Sequence, residues 1–255
     1  MDLKAKHSLG QNFLKDDNVL NRIIDSVTIN DNEELIEIGP GMGALTAKLK
    51  IFNVPLTCFE IDLRTKDYLD KLVDAKTKIV YEDFMSVDLS KYLDKSKKYH
   101  VVANIPYYIT TPIIERLINS GYEVITMTLM VQKEVADRLS SRPSNKEYGY
   151  FTAYLNYYYD VNKLFNVDKK CFSPVPKVDS AIIKLISNRH KCSDENKLFK
   201  ILKDSFMMKR KNLRNNLRSY DLNKVEDILK NYGHSLNNRA EDISIDEFID
   251  IAENL

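Results

Sequence analysis

Residues 34–43 of this 255-residue chain read E-L-I-E-I-G-P-G-M-G, a short apolar run followed by three glycines. The run predicts a buried strand, and glycines at 39, 41 and 43 allow a sharp turn from that strand into a helix. They also let a ligand approach the backbone where a Cβ would clash. Because the spacing is G-x-G-x-G and not the G-x-G-x-x-G of dinucleotide folds, we expect a cofactor without a pyrophosphate here.

On either side of this turn, short apolar runs alternate with longer amphipathic ones. Further strands are predicted at 55–61, 78–83, 99–104 and 124–131, and helices at 43–51, 62–74, 111–120 and 132–141. A helix over 16–28, capped by Asp16 or Asp17, precedes them, and a helix over 149–159 and a hairpin of 161–167 with 178–186 follow. Strands that alternate with helices predict a doubly wound α/β domain with a mainly parallel sheet, a Rossmann-like fold.

After residue 188 the pattern changes to helices alone. They are predicted over 194–206, 209–218, 222–231 and 244–253. We therefore expect two domains, an α/β domain over residues 1–188 and a small all-helical domain over residues 189–255.

The composition favours a cytoplasmic protein. Apolar residues make up 44% of the chain, and no apolar run approaches the roughly 20 residues that span a bilayer. The N-terminus has charges without a following apolar stretch, so no secretory signal is expected. Cys58, Cys171 and Cys192 lie far apart and the four histidines are dispersed, which argues against disulfides and against a metal site.

Two acids follow the next two predicted strands. Glu60 lies 19 residues beyond Gly41, where a carboxylate can accept hydrogen bonds from both hydroxyls of a ribose. Asp83 ends the third strand, where it can accept from the exocyclic amine of an adenine. Either acid alone could be an exposed strand end. Together, beside the glycine turn, they predict a nucleoside site, and S-adenosylmethionine is the nucleoside cofactor that lacks a pyrophosphate.

The fourth strand ends in N-I-P-Y-Y, residues 104–108. This could be a simple strand-ending turn, with Pro106 stiffening it. In a nucleoside site, however, the side-chain oxygen of Asn104 and the carbonyl of Ile105 could accept from an adenine N6 and localise its lone pair. Tyr107 could stack on the same base. Tyr108 is expected to pack behind the site, although it could instead be the stacking ring.

A basic block precedes an acidic C-terminus. Residues 184–218 contain 11 lysines and arginines against three acids, whereas residues 219–255 contain three against nine. The predicted helix over 209–218 would place Arg210, Arg214 and Arg218 on one face, with Lys209 and Lys211 beside them. Such a block can be a solvated surface, but next to an adenine site it favours contact with RNA phosphates. Lys4, Lys6 and His7 are expected to add to this surface.

Taken together, the motifs resemble those of the ribosomal RNA adenine N6,N6-dimethyltransferases, from about residue 6 to the C-terminus. The stretches that carry the resemblance are Q-N-F-L at 11–14, E-I-G-P-G-M-G at 37–43, F-E-I-D at 59–62, N-I-P-Y at 104–107, Q-K-E-V-A-D-R at 132–138 and F-S-P-V-P-K-V-D-S at 172–180.

The resemblance implies a role for each matching residue. The cofactor would be covered by Gln11, Asn12 and Leu14, held at the turn by Gly39 and Gly41, and contacted by Glu60, Asp83 and Asn104. The target adenine would meet Asn104, Ile105, Pro106 and Tyr107, with Phe172 as a second aromatic clamp.

The family has two branches. One dimethylates two adjacent adenines near the 3′ end of small-subunit (16S) rRNA during ribosome assembly, and the other modifies large-subunit (23S) rRNA and confers macrolide resistance. Residues 172–180, 208–217 and 239–248 are similar to the first branch. A monomeric enzyme acting on an assembly intermediate of the small subunit is thus expected. A non-catalytic RNA-binding assembly factor is the alternative from another class.

Overall fold

The computed structural model describes residues 5–6, 10–188 and 190–255. Its strands are β1 (Phe13–Leu14), β2 (Glu34–Ile38), β3 (Leu56–Phe59), β4 (Thr77–Val80), β5 (Lys98–Asn104), β6 (Glu123–Gln132), β7 (Tyr159–Val167), β8 (Phe172–Ser173) and β9 (Ser180–Ser187). Its α-helices are α1 (Asp17–Asp25), α2 (Ala44–Leu49), α3 (Lys66–Leu69), α4 (Thr110–Ile118), α5 (Lys133–Leu139), α6 (Tyr150–Tyr158), α7 (Glu195–Ser205), α8 (Leu213–Asn216), α9 (Leu222–Lys230) and α10 (Ile245–Asn254).

Seven of the strands form one sheet in the order β4-β3-β2-β5-β6-β9-β7, and β1 pairs with β8 in a small second sheet. The pairs β2–β3, β3–β4, β2–β5 and β5–β6 are parallel, whereas β9 runs antiparallel to β6. The α/β fold is therefore as predicted, and β9 and β7, which contain the two stretches of the predicted hairpin, are neighbours at one side of the sheet. Because the chain builds outward from β2 to β4 and then returns to β5, the strand order reverses between β2 and β5.

This switch point determines where a ligand can bind. In open α/β sheets a crevice forms outside the carboxyl ends of the strands where the order reverses. The glycine turn follows β2, and N-I-P-Y follows β5. Two motifs that are about 60 residues apart in the sequence are thus brought to one crevice by the parallel pairing of β2 with β5.

The middle residues of the central strands are apolar on both faces because helices cover both faces of a parallel sheet. Leu35, Ile36, Val101 and Val102 are each at most 1% exposed. Ahead of β2, Asp16 caps α1 by accepting from the backbone N–H groups of Asn18 and Val19, as predicted.

By its contacts the chain forms two units, Met1–Ala136 with Asn162–Ser187, and Asp137–Val161 with Asn188–Leu255. The longer segment of the second unit begins at the expected boundary near residue 188, but the unit also includes residues 137–161. The reason is packing, since Tyr148, Ala153 and Tyr157 belong to the same buried cluster as the apolar face of α7. The sequence pattern did not predict that this segment would join the C-terminal helices.

The predicted helix over 209–218 is wrong. Residues 208–211 form a turn in which Lys211 N–H donates to the carbonyl of Met208, and only α8 follows. The side chain of Asn212 accepts from Asn215 N–H and starts α8 anew, while Asn216 Nδ2 donates to the carbonyl of Ser205. Asparagine side chains here compete with the helical backbone hydrogen bonds, so Arg210 and Arg214 do not share a helix face.

The predicted helix over 62–74 is shorter in the structure, with α3 at its centre and 3-10 turns on both sides. Among the helices of the described residues, none has the length and apolarity needed to cross a membrane.

Candidate active site

A cavity lies in the first unit at the carboxyl edge of β2 to β5. Its wall includes all eight of the predicted cofactor residues, namely Gln11, Asn12, Leu14, Gly39, Gly41, Glu60, Asp83 and Asn104. Ile105, Pro106 and Tyr107, predicted to contact the target base, line it too. The structure thus brings together residues from five separate stretches of the chain.

The glycine turn forms one wall. Gly39 and Gly41 have φ of +72° and +58°, in the left-handed region that favours glycine. A Cβ added to Gly41 would lie 3.1 Å from the ring of Phe13. Gly41 is therefore needed both for its backbone conformation and for the space between the turn and residues 10–14.

Glu60 is held rigidly at the end of β3. Gly41 N–H donates to its Oε2 at 2.9 Å, and Asp62 N–H donates to its Oε1 at 2.8 Å. Glu60 is only 4% exposed, and burial raises the pKa of its carboxyl group. Each carboxylate oxygen can accept more than one hydrogen bond, so both still have capacity for the two hydroxyls of a ribose.

Asp83 follows β4, and its Oδ1 accepts from Met85 N–H at 2.9 Å. Next to it in the cavity wall are the apolar residues Ile61, Phe84 and Met85. A carboxylate beside an apolar wall suits a purine, whose faces are apolar and whose edge carries donors.

Residues 10–14 lie across the cavity and are anchored at one side by a buried carboxylate. Gln11 Nε2 donates to Asp62 Oδ2 at 2.8 Å, and Arg64 Nε donates to Asp62 Oδ1 at 2.8 Å. The hydrogen bond from Arg64 lowers the pKa of Asp62 to about 2. Gln11 therefore acts at least in part as the anchor of this segment. Asp62 is part of the F-E-I-D stretch, but no sequence signal indicated this anchoring role or pointed to Arg64.

Asn104 anchors the same segment from the other side. Its Nδ2 donates to the carbonyl of Asn12 at 3.2 Å. Because that bond engages the nitrogen of the amide, it determines the orientation of the group and leaves Oδ1 as the acceptor.

The two tyrosines after Pro106 differ in their surroundings. Tyr107 is half-buried, and its hydroxyl is hydrogen-bonded to Ser180 Oγ at 2.7 Å. Tyr108 is 63% exposed and packs on Gly10, where an added Cβ would lie 3.0 Å from its ring. Tyr108 therefore does not pack behind the site as expected but is exposed and covers Gly10.

Phe172 does not reach the cavity. Its side chain is 4% exposed and belongs to a buried cluster with Leu14, opposite which it lies in the β1–β8 pair. Phe172 is not among the described residues that line the cavity. The clamp role inferred from the resemblance stays a prediction, whereas its position supports residues 10–14.

Glu37 is a site residue that the sequence reasoning did not single out. It lines the cavity, is 1% exposed and accepts from the thiol of Cys58 at 3.5 Å. Burial raises the pKa of Glu37 to about 7. Its place within E-I-G-P-G-M-G was visible in the sequence, but its burial depends on the pairing of β2 with β3 and β5.

The predicted RNA-binding residues lie in the second unit. All five are exposed, and they are Lys209, Arg210, Lys211, Arg214 and Arg218. Lys4 and His7 lie outside the described residues, and Lys6 is exposed. Within the described residues there is no group of three or more histidines, cysteines or acids that could hold a metal ion.

Comparison with known proteins shows the family to which this chain belongs. The family model described as ribosomal RNA adenine dimethylase matches residues 2–255. The chain belongs to this family. A curated relative from Fusobacterium nucleatum subsp. nucleatum, named ribosomal RNA small subunit methyltransferase A, is 42% identical over 98% of this chain and 97% of its own length.

Two solved structures share the fold over nearly the whole chain. One is a dimethyladenosine transferase from Plasmodium falciparum, with a TM-score of 0.76, 25% identity and coverage of 92% of this chain and 94% of that chain. The other is the 23S rRNA methyltransferase ErmE, with a TM-score of 0.78, 25% identity and coverage of 96% and 99%. Membership in the family confirms the predicted methyltransferase fold and the predicted class of enzyme. The structures do not separate the two branches, whereas the much higher identity to a small-subunit enzyme favours that branch.

Proposed function

We propose that this protein uses S-adenosylmethionine to dimethylate N6 of two adjacent adenines near the 3′ end of small-subunit rRNA during ribosome assembly. The observation that carries the proposal is the orientation of Asn104. Its amide donates to Asn12, which leaves its oxygen as an acceptor at the wall of a cavity that also contains Glu60. The 42% identity to a small-subunit enzyme supports the choice of substrate.

The residues of the cavity fit the cofactor. The carboxylate of Glu60 is oriented by two backbone N–H groups and suits a ribose, and the wall of Ile61, Phe84 and Met85 beside Asp83 suits an adenine. A sulfonium carries a methyl group that is already activated for transfer, so the protein has to bind, orient and exclude water more than activate the donor.

The chain's own contribution is to prepare the target nitrogen. The lone pair of an adenine N6 is delocalised into the ring and is a poor nucleophile. Acceptance of its hydrogens by Asn104 Oδ1 and the Ile105 carbonyl favours a pyramidal nitrogen with a localised pair. Tyr107, half-buried in the cavity wall, supplies a ring face on which the base can stack.

The exposed basic residues of the second unit supply the RNA contact. Residues 184–218 carry a net positive charge, and Lys209, Arg210 and Lys211 are consecutive and exposed. Such residues neutralise phosphates whatever the base sequence. We further propose that the protein is cytoplasmic and monomeric and that it acts on an assembly intermediate of the small subunit.

The experiment is incubation of the protein with undermethylated small subunits and, separately, large subunits, with isotopically labelled cofactor and mapping of the modified bases. We expect dimethyladenine at two adjacent positions of small-subunit rRNA only. For Asn104→Ala, binding of cofactor and subunit should be largely retained, while methyl transfer falls by about 100-fold or more. Label on the large subunit would favour the other branch, and failure to bind S-adenosylmethionine in titration calorimetry would favour a non-catalytic factor.

A further inference from the structure

Ser180 lies outside the cavity wall but contacts a residue within it. Its Oγ is 2.7 Å from the hydroxyl of Tyr107, and its own side chain is fully buried. Ser180 is the first residue of β9 and lies opposite Gln132, the last residue of β6. The neighbouring backbone is also tied, since Lys133 N–H donates to the carbonyl of Asp179 at 3.0 Å. The sheet therefore fixes the position of Ser180.

This hydrogen bond constrains the ring of Tyr107 at both ends. The Cα belongs to the 3-10 turn after Pro106, and the phenol oxygen at the opposite end is tied to β9. A tyrosine side chain has only two main torsions, so tying its hydroxyl leaves the plane of the ring little freedom. Because the ring lines the cavity and Ser180 does not, any effect of Ser180 on the reaction has to pass through Tyr107.

We propose that Ser180 is a positioning residue that holds the ring of Tyr107, and that it matters more for the second methyl transfer to each adenine than for the first. This inference rests on the proposed function, in which Asn104 Oδ1 and the Ile105 carbonyl accept from N6 and Tyr107 stacks on the base.

The reason lies in the hydrogens on N6. In each transfer a nitrogen–carbon bond forms while a sulfur–carbon bond breaks, the sulfur keeps the electron pair of the broken bond, and one N6 proton is released to water. An unmodified adenine offers two N6 hydrogens to the two acceptors. A monomethylated adenine offers one, so one acceptor loses its partner and the base is held more by stacking. A loosened Tyr107 ring should therefore release the monomethylated base early.

The test compares Ser180→Ala, Tyr107→Phe and the double variant in a time course that separates monomethyladenine from dimethyladenine. Tyr107→Phe keeps the ring and removes only the hydroxyl. We expect the share of monomethyladenine to rise by about 3- to 10-fold in both single variants, as loss of one neutral hydrogen bond implies. The double variant should match the single variants, because both changes remove the same contact.

A second readout needs no cofactor. In thermal unfolding the double variant should be no less stable than the less stable of the two single variants. The matched control is Ser205→Ala, since Ser205 is also fully buried but its hydroxyl has no hydrogen-bond partner among the described residues. Ser205→Ala should leave the product ratio unchanged, which separates positioning from a general loss of stability.

The outcomes distinguish this inference from the function on which it rests. A wild-type product ratio in Ser180→Ala would overturn the role of Ser180, and so would effects that multiply in the double variant. In either case an inactive Asn104→Ala would leave the proposed function intact. If Asn104→Ala transferred methyl groups at the wild-type rate, the role assigned to Asn104 would fail, and if the wild-type protein methylated no adenine of the small subunit, the proposed function itself would fail.

Discussion

Gly41→Ala should have two separate effects, a loss of stability from backbone strain and a loss of affinity for the cofactor. Gly41 has φ of +58°, and the new Cβ would lie 3.1 Å and 3.2 Å from two carbons of the Phe13 ring. An alanine in the left-handed region costs about 1–2 kcal/mol of stability. For a chain of this size each kcal/mol corresponds to a fall of roughly 2–4 °C in Tm.

The cofactor site should suffer in addition. Gly41 N–H donates to Glu60 Oε2, and a turn that moves away from Phe13 shifts this donor and the carboxylate that it orients. Weakening of one charge-assisted hydrogen bond to a ribose, worth about 1.5–3 kcal/mol, lowers cofactor affinity by about 10- to 150-fold. Titration calorimetry with S-adenosylmethionine measures this loss directly.

Gly121→Ala is the matched control. Gly121 has φ of +74°, and an added Cβ would meet only the end of the Lys95 side chain, at 4.0 Å. It should lose a similar amount of stability and bind the cofactor as the wild type does. If Gly41→Ala bound the cofactor with wild-type affinity while losing the same stability as Gly121→Ala, the role assigned to the glycine turn would be refuted.

Three further changes test other parts of the site. Asn104→Asp keeps an acceptor but places a carboxylate against the Asn12 carbonyl, so titration should show weaker cofactor binding than for Asn104→Ala; wild-type affinity would contradict the anchoring role. The raised pKa of Glu37 means that its contribution to wild-type stability falls by about 3 kcal/mol as pH rises from about 4.5 to about 7. Glu37→Gln should lack this fall in urea unfolding, and parallel pH profiles for the two proteins would argue against a raised pKa of Glu37. Phe172→Leu should lose about 1 kcal/mol of stability and keep most methyl transfer; a loss of transfer above tenfold would restore the predicted clamp.

Local sequence patterns predicted much of the fold. Short apolar runs such as those at 35–36 and 101–103 predict strands because burial on both faces requires apolar residues on both. The Asp16 cap was likewise visible, since it depends on residues only two and three positions away. The prediction of a helix over 209–218 was wrong because the side chains of Asn212 and Asn216 hydrogen-bond to the backbone. Apolar periodicity gives no information about such hydrogen bonds.

The sequence by itself determined which chemical groups are available to this protein. The glycine turn, the acids Glu60 and Asp83, and N-I-P-Y sufficed to predict a nucleoside site and an adenine target. Those inferences depend on residue type and on position after a strand, and both are local properties.

Only the tertiary structure decided how these groups are held. The partner of Asn104 is 92 positions away in the chain, that of Tyr107 is 73 away and that of Gln11 is 51 away. Such contacts are created by strand order and by the path of residues 10–14 across the cavity, not by neighbouring residues. For the same reason the structure buries Phe172 and exposes Tyr108, because burial is a property of the packed chain and not of the motif.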